Sequence, residues 1–201
     1  SPGDEILVTE LEHHANIVPW QLIAEATGAK VRAVAVLDDG ALDMEAYAEL
    51  LGPRTKFVSL TQMSNALGTV TDAKRIIELA HAANVPVLLD GCQGAVHMAT
   101  DVQNLDVDFY VFSGHKVYGP GGIGVMYAKA QLLETMRPYR GGGEMIRDVT
   151  LDDVTYADPP HRFEAGTPPI VEAIGLGAAL DYMTAIGWDN ITAHERALAD
   201  H

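Results

Sequence analysis

A single cysteine, Cys92, stands among the 201 residues, so no intrachain disulfide can form. That usage suits a reducing compartment, and a cytoplasmic location is the expectation. Basic residues are scarce as well: lysine and arginine number 13 against 28 aspartates and glutamates, for a formal net charge of −15. With no basic cluster to meet phosphate groups, neither nucleic acid nor an anionic membrane is expected as a partner. No apolar run reaches the length of a membrane span, and no secretory leader is read in the chain. Internal repeats and low-complexity tracts are missing, and the 19 glycines and 10 prolines are ordinary frequencies. What is present is 48% hydrophobic residues, enough for one globular domain with a buried core.

Short β-branched runs alternate with longer helical stretches. Strands are predicted at Ile6–Thr9, Val31–Val36, Phe57–Leu60, Val85–Asp90, Phe109–Phe112 and Gly124–Tyr127. They read as apolar throughout, as strands covered on both faces do. The clearest helix lies between Leu60 and Val85. Thr71 or Asp72 can cap it, and Ile76, Leu79, Ala80 and Ala83 share one face. Further helices are predicted from Ile17 to Thr27, ended by Gly28, and from Met44 to Leu51, stopped by Gly52-Pro53. Strand–helix–strand order implies an α/β fold with a mostly parallel sheet and helices on both faces. After Met126 a short helix is expected at Leu132–Met136 and a glycine loop at Gly141–Gly143. Val149 to Pro169 shows no periodicity, and Ile170–Ile186 is helical and rich in alanine and glycine.

In open α/β sheets ligands bind beyond the carboxyl ends of the strands. Four of those ends carry reactive groups. Val85–Leu89 delivers Asp90, Cys92 and Gln93; Phe109–Phe112 delivers Ser113, His115 and Lys116; Phe57–Leu60 leads to Asn65; Ile6–Thr9 leads to His13 and His14. A lysine amine in a partly desolvated cleft can attack a carbonyl. A carboxylate at the end of an apolar strand can pair with a protonated ring nitrogen. These are the minimum needs of pyridoxal 5′-phosphate. Small polar residues beside glycine suit its phosphate, because the backbone can approach closely. No metal is expected, since no histidine pair has metal-site spacing.

Six segments in order resemble the SufS-type cysteine desulfurases of the class V aminotransferase family, which have pyridoxal-phosphate fold type I. They are Glu12–Trp20, Ser64–Gly68, Asp90–Gln93, Phe112–Lys116, Gly141–Ile146 and Arg162–Pro168, and the likeness runs over essentially all 201 residues. The resemblance implies the large domain of an aspartate aminotransferase-like fold. It implies that Lys116 holds the cofactor and then carries a proton. Asp90 would pair with the pyridine nitrogen, and Gln93 would bond the phenolic oxygen. His13 would stack on the ring and help in proton transfer, Ser113 and His115 would hold the phosphate, and Asn65 would lie near the ring or the substrate carboxylate. Thr167 would reach the phosphate of a neighbouring subunit, since the family is homodimeric. The substrate implied is L-cysteine, converted to L-alanine, with sulfur passed through an enzyme persulfide to an acceptor of the SufE or SufU type for iron–sulfur cluster assembly.

Two positions depart from the family pattern. Cys92 stands where relatives carry a small inert residue, and it reads as a buried small side chain rather than the sulfur-carrying nucleophile. Pro169 follows Gly166-Thr167-Pro168 where relatives have a polar residue. His81 and His97 read as structural, and His14 as a support for His13. The chain opens on Ser1-Pro2-Gly3-Asp4 and closes inside a helical pattern, Ile191 to His201. It therefore reads as residues 1–201 of a partial large domain, lacking an N-terminal segment and the C-terminal small domain that supplies the catalytic cysteine, and is expected to be inactive alone. Other readings are a selenocysteine lyase or related lyase of the family, and a non-catalytic dimerisation or scaffold module.

Overall fold

Buried apolar strands joined by helices pair in parallel, and five of them do so here. The computed structural model describes all 201 residues. Its main sheet has the order β2-β1-β3-β4-β5-β6. The strands are β1 (Glu5–Thr9), β2 (Lys30–Val34), β3 (Thr55–Thr61), β4 (Val87–Asp90), β5 (Phe109–Ser113) and β6 (Gly124–Ala128). The first five are mutually parallel, and β6 closes one edge antiparallel to β5. The mostly parallel α/β architecture expected from the sequence is the one observed. Predicted and observed strands differ at their ends: Val36 pairs only as an isolated bridge with Leu42, and β3 is longer than its apolar run because Thr55 and Thr61 continue the ladder.

The two faces of the sheet are set by alternation. Leu7, Val58, Leu60, Val87, Leu89 and Tyr110 point into the main core. That face is covered by α2 (Met44–Leu50), α3 (Ala73–Ala82) and α5 (Val102–Leu105). Asp72 caps α3 by accepting from the Arg75 amide at 3.1 Å. Thr71, the alternative cap, is instead buried with its hydroxyl donating to Thr61 O. The buried face of α3 is Ala73, Ile76, Ile77 and Ala80; Ala83 is the exposed C-cap, one residue beyond the last helical turn that touches the sheet. On the opposite face α1 (Val18–Thr27) lays Trp20 against Phe57, with ring centroids 5.0 Å apart. Gly28 ends α1 with φ 76°, the left-handed conformation that stops a helix at little cost only in glycine.

At the amino ends of the parallel strands lies a closed charge cluster. Asp108, 7% exposed, accepts from the Val87 amide, from His81 Nε2 at 2.7 Å and from Lys129 Nζ at 3.0 Å. Stripping such a carboxylate of its partners costs about 1–3 kcal/mol or more, so these residues serve stability.

A second, smaller core joins the end of the chain to the middle. It contains Val96, Val117, Leu176, Met183 and Ile191. Three elements contribute most of it: α4 (Gly94–His97), α7 (Ile170–Ile186) and α8 (Trp188–Ala199). Three polar contacts run from α8 to α4: Trp188 Nε1 donates to Ala95 O, Thr192 Oγ1 donates to His97 O, and Glu195 faces His97 Nδ1 at 2.9 Å. Along the chain, α6 (Ala130–Thr135) precedes a two-stranded hairpin of β7 (Ile146–Val149) and β8 (Val154–Tyr156). The aperiodic reading of Val149–Pro169 misses β8, because three residues are too few for alternation to register. No single helix is long and apolar enough to cross a membrane.

Candidate functional site

The chain leaves β1 toward β2 on one side and reaches β3 on the other, so the direction of strand addition reverses between β1 and β3. Parallel sheets open a crevice beyond their carboxyl ends at such a point. Two neighbouring cavities lie along this edge. One, of about 540 Å³, is lined by residues that include Glu12, His13, His14, Ser64 and Asn65. The other, of about 310 Å³, is lined by residues that include Asn16, Trp20, Asp90, Cys92 and Ser113.

Asp90 is the last residue of β4. Alternation turns it away from the main core, and it is 8% exposed. One carboxylate oxygen accepts from the Cys92 amide at 2.9 Å, while the other receives no hydrogen bond from the protein. The turn that follows lies flush on a polar trio beneath it. Tyr110 and Thr100 both bond Gln62, and burial pushes the Tyr110 phenol up to about 12. A Cβ at Gly91 would collide with the Tyr110 ring, and one at Gly94 with the Gln62 amide. Only glycine at both positions lets the backbone carrying half-buried Gln93 approach so closely.

From β5 the chain enters a tight 3₁₀ turn, Gly114–Val117, held by Gly114 N donating to Ile123 O and Gly119 N to Gly114 O. Lys116 is half-buried, forms no ion pair and donates no hydrogen bond within the chain. Its charge is nonetheless felt at Cys92 across the turn. His115, one residue earlier, is exposed.

From β1 the chain reaches His13 over a buried polar network that sequence reasoning missed. Glu12, 8% exposed, accepts from Thr9 Oγ1 at 2.5 Å, Asn16 Nδ2 at 2.6 Å and Thr61 N at 2.9 Å. Asn16 Oδ1 in turn accepts from Ser59 Oγ at 2.6 Å and Trp20 Nε1 at 3.1 Å. Burial pushes the Glu12 carboxyl above its ordinary value; the three donors pull it back, and the nearby Asp90 charge pushes it up again. Above the network, Ala15 N donates to His13 Nδ1 at 3.1 Å. The neutral His13 ring therefore carries its proton on Nε2. The sequence held one signal for this network: polar residues at Glu12 and Asn16, four apart, where the chain leaves an apolar strand.

Cys92 is half-buried, not enclosed, and its Sγ lies 3.8 Å from Ser113 Oγ. Burial pushes its thiol up, and Asp90 adds to that; Ser113 and Lys116 act the other way without prevailing. Only the thiolate is nucleophilic, and a raised pKa leaves less of it at any given pH. Iodoacetamide should therefore label Cys92 roughly fivefold or more slowly than free cysteine at pH 8, with the rate climbing as pH rises. Peptide mass spectrometry over time measures this, and labelling as fast as free cysteine would contradict it.

The expected site residues thus fall into groups. Asp90 and Ser113 share one cavity with Cys92. His13 and Asn65 line the neighbouring one. Gln93 and Lys116 sit within three residues of the first cavity's lining along the chain. Thr167 is exposed on the loop before α7 and lines neither cavity. Nowhere do three or more His, Cys, Asp or Glu side chains converge so as to hold a metal ion.

The chain as a whole has counterparts among known proteins. The chain is 57% identical to a cysteine desulfurase of Dickeya dadantii over 198 residues, covering 98% of itself and 48% of that protein. Its fold superposes on the crystal structure of the cysteine desulfurase CsdA (S-sulfonic acid) of Escherichia coli with a TM-score of 0.97 and 47% identity, covering 100% of this chain and 50% of that one. It also matches a variant of the C-DES protein with glycine covalently linked to its PLP cofactor, at 33% identity and a TM-score of 0.82, covering 98% of this chain and 52% of that one. The chain spans about half the length of the proteins it matches. The model of the class V aminotransferases matches residues 1–201 without remainder, and the chain belongs to that family.

Proposed function

We propose that these residues form the pyridoxal-phosphate-binding part of a cysteine desulfurase of the SufS type. The single observation that carries the reading is the placing of Asp90 and Lys116 beyond the ends of two neighbouring parallel strands, β4 and β5. One is a buried carboxylate with an oxygen left free toward a cavity; the other is a half-buried amine without a partner on the adjoining strand end. That donor set fits a planar cationic ring joined to an amine. A structural carboxylate buried this deeply would have both oxygens occupied, as Asp108 does.

The resemblance to the cysteine desulfurases supports one role at each matching position. Asp90 would hold the proton on the ring nitrogen, Gln93 would bond the phenolic oxygen, and Ser113 and His115 would hold the phosphate. Lys116 Nζ would hold the cofactor and, once substrate displaces it, would be free to take the substrate Cα proton. His13 would stack on the ring with its Nε2 proton available for transfer, Asn65 would lie near the ring or the substrate carboxylate, and Thr167 would reach the phosphate of a second subunit in a homodimer. When bound, pyridoxal phosphate supplies an electron sink for carbanion density. Cys92, whose thiol is pushed up by burial and by Asp90, is a poor candidate for the sulfur-accepting nucleophile. L-cysteine is the substrate, and a SufE- or SufU-type protein receives the sulfur for iron–sulfur cluster assembly.

Incubating the full-length protein with pyridoxal phosphate, reducing with borohydride and mapping the modified peptide tests the reading. Labelling at Lys116 is the expected result. A folded protein labelled elsewhere, or not at all, would end it.

A further inference from the structure

The buried network beneath His13 has a polarity that the proposed chemistry leaves unused. All three of its partners offer protons to Glu12. The Thr61 amide and Asn16 Nδ2 can only donate. Thr9 Oγ1 already accepts from the Leu11 amide at 3.1 Å, so its own proton turns to Glu12. A proton on the Glu12 carboxyl would find only the Thr9 hydroxyl to accept it, and would displace the proton that hydroxyl donates; with two fixed N–H donors besides, the geometry favours the carboxylate.

That carboxylate ties together four pieces of backbone. Thr9 ends β1, Thr61 ends β3 in register with Asp90, Asn16 closes the 3₁₀ turn His14–Asn16, and Glu12 itself directly precedes His13. Asn16 extends the tie to Ser59 in the middle of β3 and to Trp20 in α1. His13 is exposed; the one hydrogen bond to its ring comes from the Ala15 amide, and its ring neighbour, His14 at 5.9 Å between centroids, belongs to this same turn. The ring is therefore only as fixed as the turn, and the turn is held from below by Glu12.

We propose that Glu12 is a positioning residue, whose buried carboxylate sets the orientation and tautomer of His13 by pinning the turn that carries it. The inference rests on the reading of His13 as the residue over the cofactor ring. It concerns the chain's own backbone, so it can be tested without the cofactor.

Glu12→Gln keeps the size and replaces one acceptor oxygen with a donor. Asn16 can answer by rotating its amide, but its Nδ2 then faces the Trp20 indole N–H, donor against donor. One buried group is left unpartnered whichever way the amides turn, and the turn loosens.

The test uses the full-length protein and two readouts. In the cofactor-free form, ¹⁵N resonances of labelled histidine should report His13 as the Nε2–H tautomer in the parent and as an averaged mixture in E12Q. In the cofactor-loaded form, E12Q should lower kcat about 10- to 100-fold while KM changes by less than about threefold. In a His13→Ala background the same substitution should cost no more than about threefold. An unchanged His13 tautomer, or an equal loss with and without His13, would overturn the proposal. If E12Q does not accumulate as folded protein, Thr9→Val removes one donor to Glu12 itself at nearly constant volume and should also broaden the His13 tautomer signals toward an average; unaltered signals would again overturn it. A protein that fails to bind pyridoxal phosphate would sink the functional reading, yet the tautomer measurement would still decide the role of Glu12.

Discussion

Lys116→Ala is expected to lower cysteine turnover by the full-length enzyme on the order of 10⁴-fold or more, and to let the cofactor wash out on desalting. Among residues 1–201 no other lysine is placed to take over. Lys30 and Lys56 lie near the amino ends of their strands, Lys129 is held by Asp106 and Asp108, and Lys74 bonds Asn104 O. Arginine should not rescue the variant, because a guanidinium stays protonated and cannot act as a nucleophile or base. Steady-state assays of alanine release, together with the visible spectrum before and after gel filtration, measure both effects. Turnover within tenfold of the parent would remove Lys116 from the chemistry.

Asp90→Asn should cost about 10²–10³-fold in kcat through loss of charge alone. The amide is isosteric, and its oxygen can still accept from the Cys92 amide, so the turn over Gly91 and Gly94 keeps its shape. What changes is the anion beneath the cavity. A second consequence separates this from misfolding. After burial, the Asp90 side chain is the next cause that holds the Cys92 thiol up. Without its charge the Cys92 pKa falls toward the ordinary range, more thiolate is present at a given pH, and iodoacetamide labels Cys92 faster in D90N than in the parent. Full activity in D90N would remove Asp90 from the pairing proposed for it. Slower labelling would contradict the electrostatic account.

The places of Asp90 and Lys116 beyond the ends of apolar strands were legible in the sequence, since an apolar run that stops at polar residues and glycine marks where pairing ends. The roles given to them rest on the family resemblance of the segments around them. The parallel order was legible too, since strands covered on both faces have no polar alternation to mislead. Glu12 was not legible as a buried group. Its environment is assembled from Thr9, Asn16, Ser59 and Thr61, and two of those stand in a strand 43 or more residues away. Side-chain hydrogen bonds over that range leave no period in a sequence. The hairpin of β7 and β8 escaped because its strands are three and four residues long. Cys92 was read as buried on residue type alone; the cavity beside Asp90, which leaves it half-exposed, is a product of tertiary packing.

The tie between α8 and α4 bears on how the site comes into being during synthesis. Gln93 leads directly into α4, and α4 is held by Trp188, Thr192 and Glu195, which lie 93 to 98 residues further along the chain. At ribosomal speeds that interval is about 5–20 s. During it the carboxyl ends of β4 and β5 have been made, but the strut behind the Gln93 turn has not. The nascent chain thus passes through a stage in which the sheet can form while the pocket lacks its backing. Cofactor capture belongs after α8 has emerged and docked.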